Sequence, residues 1–439
     1  MPMIGPSAFQ GVSPMRSLWS LITCLTLAST CLAADAPSLR VGVARAVITP
    51  TEPVQLAGYA SRKDLSTGVH DALTARALVF ELGGSRLALV SVDLIGFYGN
   101  TAEPLRAAIV SRTGLEPSQL FLCAIHTHSA PSVGLDPKTT HPNNVRFTEG
   151  LKGKLADLVA NAIANLQPAS FSLGAGSSPV GANRRELRIN AKGESSIVLG
   201  RNPYGPTDKE VQVLRIVKAD GSPLAVAFNY ATHATSLGPA NLVISGDVLG
   251  LAEQMIEKVT DSGGTALAFA GASGNIDPWY RILPGFNTEP GWTPEPVLLG
   301  NLLGQEVVHA YRKSGEPQSP DLIRSAVRVI ELPAKTAPEG SDQAAIQRLP
   351  YTISAAKVGD VGFIGLGGEV LTEIGLAIKA GSPFRHTMVI THCNGAAGYL
   401  APKHLYVEGG YEVQTTRFST EAAQIVIRES LQMLHALYK

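Results

Sequence analysis

Short apolar runs alternate with amphipathic stretches along most of the chain. Leu39–Ile48 alternates with the period of two of a half-buried strand and stops at Thr49-Pro50. Ala75–Leu82 and Arg86–Asp93 are two apolar strands around the turn Gly83-Gly84. Glu103–Thr113 predicts a helix, Leu120–Ile125 a buried strand, and Phe147–Leu166 carries a long helical period. Val211–Lys218 and Leu224–Ala231 predict a hairpin around Ala219-Asp220-Gly221, followed by a helix over Leu249–Val259 and a short buried strand over Ala266–Ala270. Pro296–Ser314 is another helix. Ala326–Leu332, Thr352–Val358, Val361–Leu366 and Met388–Thr391 are strands, and Ser419–Leu437 is the closing helix. Interleaved strands and helices predict an α/β (α+β) class with a mixed β-sheet core flanked by helices. Gly200–Pro206 and Leu283–Thr293 are rich in Gly, Pro and Asn, as loops that shape a cleft are. No repeat, low-complexity segment or linker interrupts the pattern, so residues 40–439 read as a single large domain.

Composition agrees. Of 439 residues, 45% are hydrophobic and 16% charged, enough for a sizeable core and unlike a disordered chain. Lys+Arg and Asp+Glu both number 36, so charge points to neither a nucleic-acid partner nor long-range attraction to an anionic membrane. The N-terminus reads as a signal peptide over residues 1–33. Arg16 precedes an apolar run from Leu18 to Leu32, and Ala33-Ala34 supply small residues for cleavage. Residues 1–14 look like neither signal nor domain, which makes Met15 an alternative start. The rival to cleavage near Ala33 is a lipid anchor on Cys31, which Thr30 precedes poorly. Either way the expected destination is outside the cytoplasm, periplasmic or extracellular, with no transmembrane span in the mature chain. Cys24 and Cys31 leave with the signal. Cys123 and Cys393 remain, either as one bridge or as two small buried hydrophobes.

Five segments could carry chemistry. Ala124-Ile125-His126-Thr127-His128-Ser129-Ala130-Pro131 follows an apolar strand, where alternation would point both histidines the same way. Neutral imidazole is a common zinc ligand, although two hydrogen-bonded loop histidines would look the same. Thr232-His233 follows the strand at Leu224–Phe228, and Gly367-Gly368-Glu369 lets a carboxylate sit on a tightly folded backbone. Each alone is equally compatible with a structural role. Gly398-Tyr399, with Tyr411 twelve residues on, would normally be called packing. Gly271-Ala272-Ser273-Gly274-Asn275-Ile276-Asp277-Pro278 could offer backbone N–H groups to an oxyanion, or be an ordinary strand-to-loop turn.

Taken in order, these segments resemble the neutral/alkaline non-lysosomal ceramidase family. The likeness runs from Val41 to the C-terminal helix and includes Gly58-Tyr59-Ala60, Gly68-Val69-His70-Asp71, Ser91-Val92-Asp93, Asn183-Arg184 and Asn394-Gly395. It implies one Zn²⁺ per chain, held by His126, His233, Glu369 and Tyr399. It also implies a substrate-facing His128 and, near the scissile carbonyl, Arg184 and Tyr411. A zinc with an open position lowers the pKa of a water there to about 7, and its charge favours a ligating phenolate. Arg184 and Tyr411 would then stabilise an oxyanion, and His128 would relay a proton.

Two departures from the family are visible. Where its members typically read Gly-Asp-aliphatic-Ser-Pro, this chain has Gly274-Asn275-Ile276-Asp277-Pro278, so Asp277 stands in the serine's place as a candidate base or hydrogen-bond acceptor. The second departure is length: the likeness runs out soon after the catalytic part, so the expectation is a chain without the family's C-terminal β-sandwich domain. The expected activity is hydrolysis of an N-acyl bond in ceramide or a related small-molecule or lipid substrate. The alternatives are a zinc deacylase or esterase on an acylated sugar, and a non-catalytic exported binding protein. A metal-dependent phosphoesterase is weaker, because no cluster of Asp and His for two metals is found. Nothing in the sequence bears on oligomeric state.

Overall fold

The computed structural model describes residues 38–260, 264–278, 294–318, 320–335 and 347–439. The signal segment and the loop Leu283–Thr293 lie outside the described residues. Eight strands form a mixed sheet. Its spatial order is Thr265–Ala270, Pro223–Tyr230, Glu210–Lys218, Gln167–Ser177, Arg40–Val47, Thr74–Leu82, Ser85–Val92 and Leu120–Ala124. A second, four-stranded sheet runs Ile323–Pro333, Arg348–Val358, Val361–Leu366 and His386–Ile390.

The period of two explains how these sheets stack. Along Thr74–Leu82, Ala75, Ala77 and Val79 join one buried cluster with helices Ala102–Thr113 and Pro142–Ala164, through Leu105, Ile109, Leu155 and Val159. Leu78, Phe80 and Leu82 on the opposite face join Phe121, Phe171 and Phe269 of the same sheet and Val361, Phe363 and Met388 of the second sheet. The other half of the large sheet is covered by Asp247–Val259 and Pro294–Arg312, through Val248, Leu249, Leu303 and Val307. The second sheet turns Ile353, Ala355 and Ile364 outward onto Thr372–Gly381 and Ala422–Tyr438. The result is four layers, helix, sheet, sheet, helix, with the two sheets face to face over an apolar centre. The mixed sheet with flanking helices is as the sequence predicts; the second stacked sheet is an addition. Among the described residues no helix is long and apolar enough to cross a membrane.

The strand Gln167–Ser177 carries little apolar signal, yet it lies in the middle of the large sheet. A Cβ on Gly174 would meet the carbonyl oxygen of Ala310 at 2.2 Å, and one on Gly176 would meet Glu306 Oε1 at 2.2 Å. These positions let a helix lie directly on the backbone, so they are small rather than apolar.

Within these two sheets three pairs of neighbouring strands run parallel: Ser85–Val92 with Leu120–Ala124, Pro223–Tyr230 with Thr265–Ala270, and Val361–Leu366 with His386–Ile390. Their carboxyl ends meet. The Asn229 amide donates to Phe269 O (2.9 Å) and Val389 O (3.0 Å), tying the two sheets together. Asn394 accepts from Leu122 N and donates to Leu120 O (2.9 and 2.8 Å). Cys123 and Cys393 face each other across an isolated bridge, both buried and both free, so the structure holds two thiols and no bond between them.

Phe363, fully buried between the sheets, reports on this stacking. Phe363→Ala should destabilise the protein by about 3–5 kcal/mol, read as a lower urea midpoint with an unchanged slope.

Candidate metal centre

The segments that follow these carboxyl ends carry the predicted site residues other than Arg184, the position where open α/β sheets place their ligands. After Leu120–Ala124 the chain leaves extended geometry, and His126 adopts a left-handed φ of 65°. His126 N and Thr127 N both donate to Leu94 O. Strand alternation therefore does not align the two histidines; a tight turn does, and His128 Nε2 comes within 3.4 Å of His126 Nε2. His233 follows Pro223–Tyr230, with its N–H donating to Ile276 O (2.9 Å). Glu369 and Tyr399 are direct partners in a two-residue parallel pairing, Glu369–Val370 with Tyr399–Leu400.

These groups converge. Glu369 Oε2 lies 3.5 Å from His126 Nε2 and 3.7 Å from His233 Nε2. The ligand nitrogens of His126, His128 and His233 all lie within 4.8 Å of one another, and the three side chains are buried. His126 Nδ1 is 2.6 Å from Ile95 O, and His233 Nδ1 is 2.7 Å from Ser273 O and 3.1 Å from Ile276 O. A carbonyl only accepts, so each Nδ1 must carry a proton, and in the neutral ring each Nε2 is left with a lone pair. Two lone pairs and a carboxylate oxygen therefore face one buried point. His233 Nε2 also faces Arg184 Nη1 at 3.4 Å, and neutral imidazoles beside a carboxylate are a donor set that a metal ion fits.

The surroundings tune the charges. Burial, then the charges of His126 and His233, holds His128 well below the usual imidazole range. His233 is lowered by burial, Arg184 and His126. Burial pushes the Glu369 carboxyl up, but His126, His233 and His392 outweigh it and hold the group well below the usual carboxylate range. Burial and neighbouring Glu369 push the Tyr399 phenol well above its ordinary value, with Arg184 pulling the other way. Tyr399 is thus held as a phenol.

Arg184 follows Gly181–Asn183, which pairs with Ile276–Pro278. It donates from Nη1 to Asp277 Oδ1 (3.1 Å) and from Nη2 to Gly274 O (2.8 Å) and Tyr399 Oη (3.1 Å). Gly271 N, Gly274 N and Ile276 N are all used by backbone carbonyls. The carbonyls of Ser273 and Gly274 accept from His233 and Arg184. Asn275 Oδ1 accepts from Thr372 N (2.9 Å) at the start of helix Thr372–Gly381, a structural task.

Above these groups lies a cavity of about 780 Å³, lined by Tyr59, Tyr98, His128, Arg184, Asp277, Glu369, Tyr399 and Tyr411, with Leu199 and Gly200 at one side. All eight predicted site residues therefore belong to one centre, with buried His126 and His233 beneath it. Two participants were missed. The Tyr98 hydroxyl donates to Glu369 Oε1 (2.6 Å), orienting the carboxylate. His392 stacks on His126 at 3.8 Å with the rings 13° apart. Tyr98 had no sequence signal. His392 stands beside the noted Cys393, and only its neighbourhood could have drawn attention.

Residues 39–275 match the family model described as neutral/alkaline non-lysosomal ceramidase, N-terminal. The chain is 28% identical to a neutral ceramidase of Pseudomonas aeruginosa over 322 residues, 68% of this chain and 45% of that protein. It is also 28% identical to a neutral ceramidase of Drosophila melanogaster over 240 residues, 50% of this chain and 32% of that one. It thus spans less than half the length of these relatives. The crystal structure of the Pseudomonas aeruginosa neutral ceramidase superposes with a TM-score of 0.74 at 20% identity, covering 92% of this chain and 75% of that one. A structure described as ceramidase complexed with C2 gives 0.76 at 19%, with the same coverage. The fold is thus that of a ceramidase-type hydrolase. This chain belongs to the neutral/alkaline non-lysosomal ceramidase family.

Burial also depresses the pKa of His392, with His126 next. The folded ring stays neutral below about pH 6.5, where the unfolded ring takes a proton. This contribution is therefore present above that pH and lost as pH falls. Relative to His392→Phe, the cation-free wild type should lose more stability between pH 7.5 and 5.5, measured by urea unfolding of both proteins.

Proposed function

We propose that this chain is an exported zinc-dependent amide hydrolase that cleaves an N-acyl bond, releasing a carboxylic acid and an amine. The observation that carries the reading is the pair of imidazole lone pairs, on His126 and His233, facing Glu369 at the floor of a cavity. Family membership supports the reaction class. His126, His233, Glu369 and Tyr399 would hold the ion. A bound zinc supplies a Lewis acid for a carbonyl oxygen and lowers the pKa of water to about 7.

The chain's own groups perform the rest. Glu369, oriented by Tyr98, balances charge at the floor. The Arg184 guanidinium is fully ionised and buried, and its Nη atoms lie beside Tyr399 and Asp277, where a tetrahedral oxyanion would gather charge. Tyr411 packs edge-on against Tyr399, with ring centroids 5.7 Å apart, and presents a second donor. His128 is kept neutral by burial and presents Nε2 beside His126. It can accept a proton there and release it to the leaving amine. Asp277 shares Arg184 and lines the cavity, so it offers an acceptor to a substrate hydroxyl or amine.

A short polar substrate is the second reading. Among the cavity's described lining residues the large aliphatic side chains are Ile95, Val133 and Leu199, against four tyrosines, two serines, Thr235 and Asp277. That surface suits an N-acylated amino sugar as well as the head of a ceramide.

Export rests on the N-terminal pattern, and sequencing the N-terminus of the released protein should place it near residue 34. Metal analysis of purified protein should find one zinc per chain, and His126→Ala should lose it. The loaded enzyme should hydrolyse short-chain ceramides or N-acetyl amino sugars. Stoichiometric zinc with no turnover of either, or of an acyl ester, would instead support a binding protein. Arg184→Ala should lower kcat by about 10²–10³-fold with metal content unchanged.

A further inference from the structure

Arg184 and Arg185 are consecutive cations, both buried, and both reach the same carboxylate. Glu412 is fully buried on the short helix Tyr411–Thr415. Its Oε1 accepts from Arg184 Nε (2.8 Å), and its Oε2 accepts from Arg185 Nη1 (2.9 Å). Arg185 is anchored further by Glu408 (3.2 Å) and by Gly409 O (2.8 Å). Gly410 makes room for this bundle, with φ of 92°, and a Cβ there would meet Arg185 Nη1 at 2.9 Å.

The consequence is geometric. A guanidinium is a rigid planar fork, so holding its Nε sets the direction of both Nη atoms. With Nε on Glu412, Nη1 faces Asp277 and His233, and Nη2 faces Gly274 O and Tyr399. The residue that aims the fork also directly follows Tyr411 in the chain. One carboxylate thereby couples two cavity-lining groups that are 227 positions apart in sequence, Arg184 and Tyr411. We propose that Glu412 is a positioning residue of the centre: it touches no substrate, and it orients Arg184 toward the reacting carbonyl.

This rests on the proposed hydrolase reading for its effect on rate, but not for its effect on geometry. Glu412→Gln keeps the volume and removes one acceptor and the charge. Its crystal structure should show the Arg184 guanidinium turned away from Asp277 and Tyr399 while His126, His233 and Glu369 stay in place. An unmoved Arg184 overturns the proposal, whether or not the protein turns over any substrate. On the substrate found for the wild type, Glu412→Gln should lose about tenfold to hundredfold in kcat, with KM within about threefold and zinc content unchanged. Adding it to Arg184→Ala should cost no further rate, since it acts through that arginine. Multiplying losses in the double variant would show a general structural role and overturn the proposal. Glu408→Gln, which loosens only Arg185, should leave kcat unchanged. If Glu412→Gln fails to fold, Glu412→Asp, shorter by one carbon, should show the same displacement and the same absence of further loss beside Arg184→Ala.

Discussion

The centre depends on a carboxylate oxygen held opposite two imidazole nitrogens whose rings are fixed by bonds to backbone carbonyls. Carbonyls of Ile95, Ser273 and Ile276 take the Nδ1 hydrogens of His126 and His233. That leaves lone pairs directed at Glu369 in a space with almost no exposure to water. With both rings neutral and no cation present the contact is repulsive, and a low-dielectric interior makes the repulsion larger. The surrounding groups are arranged to satisfy this demand. Tyr98 turns the carboxylate, and burial keeps His128 and His392 neutral.

The fold supplies the rigidity that this arrangement requires. Two sheets packed face to face have little freedom to slide, because their inner side chains interdigitate. Asn229 and Asn394 then lock their carboxyl ends together by hydrogen bonds to backbone carbonyls of both sheets. Ligands from distant parts of the chain emerge from adjacent strand ends, so short loops are enough to bring them together. Every loop that leaves one of these ends is held by backbone bonds, as Leu94 O holds the turn of His126 and Gly398 O holds Glu369 N.

Much of this was legible in the sequence. The strand pairs around Gly83-Gly84 and Asp220-Gly221 were readable because one face of each strand meets a helix and the other a sheet, and turn residues separate them. Gln167–Ser177 was not readable: its place in the sheet is set by backbone approach, for which glycine and serine serve better than valine. The pairing of Glu369 with Tyr399 spans two residues and leaves no periodic trace. Of the centre's residues, each motif alone was ambiguous, and the ordered set carried the resemblance. The reason given for the alignment of His126 and His128 was wrong, since a left-handed turn and not strand alternation brings them together. The supporting contacts of Tyr98, His392 and Glu412 exist only in three dimensions, so no spacing in the chain could reveal them.

The most direct test of the centre is anomalous diffraction from crystals of the purified protein, recorded on both sides of the zinc absorption edge. The account predicts one strong zinc peak within bonding distance of His126 Nε2, His233 Nε2, a Glu369 oxygen and the Tyr399 oxygen. The account would be contradicted by crystals of zinc-supplemented protein that show no peak there, or by a peak bound to His128 with Glu369 turned away.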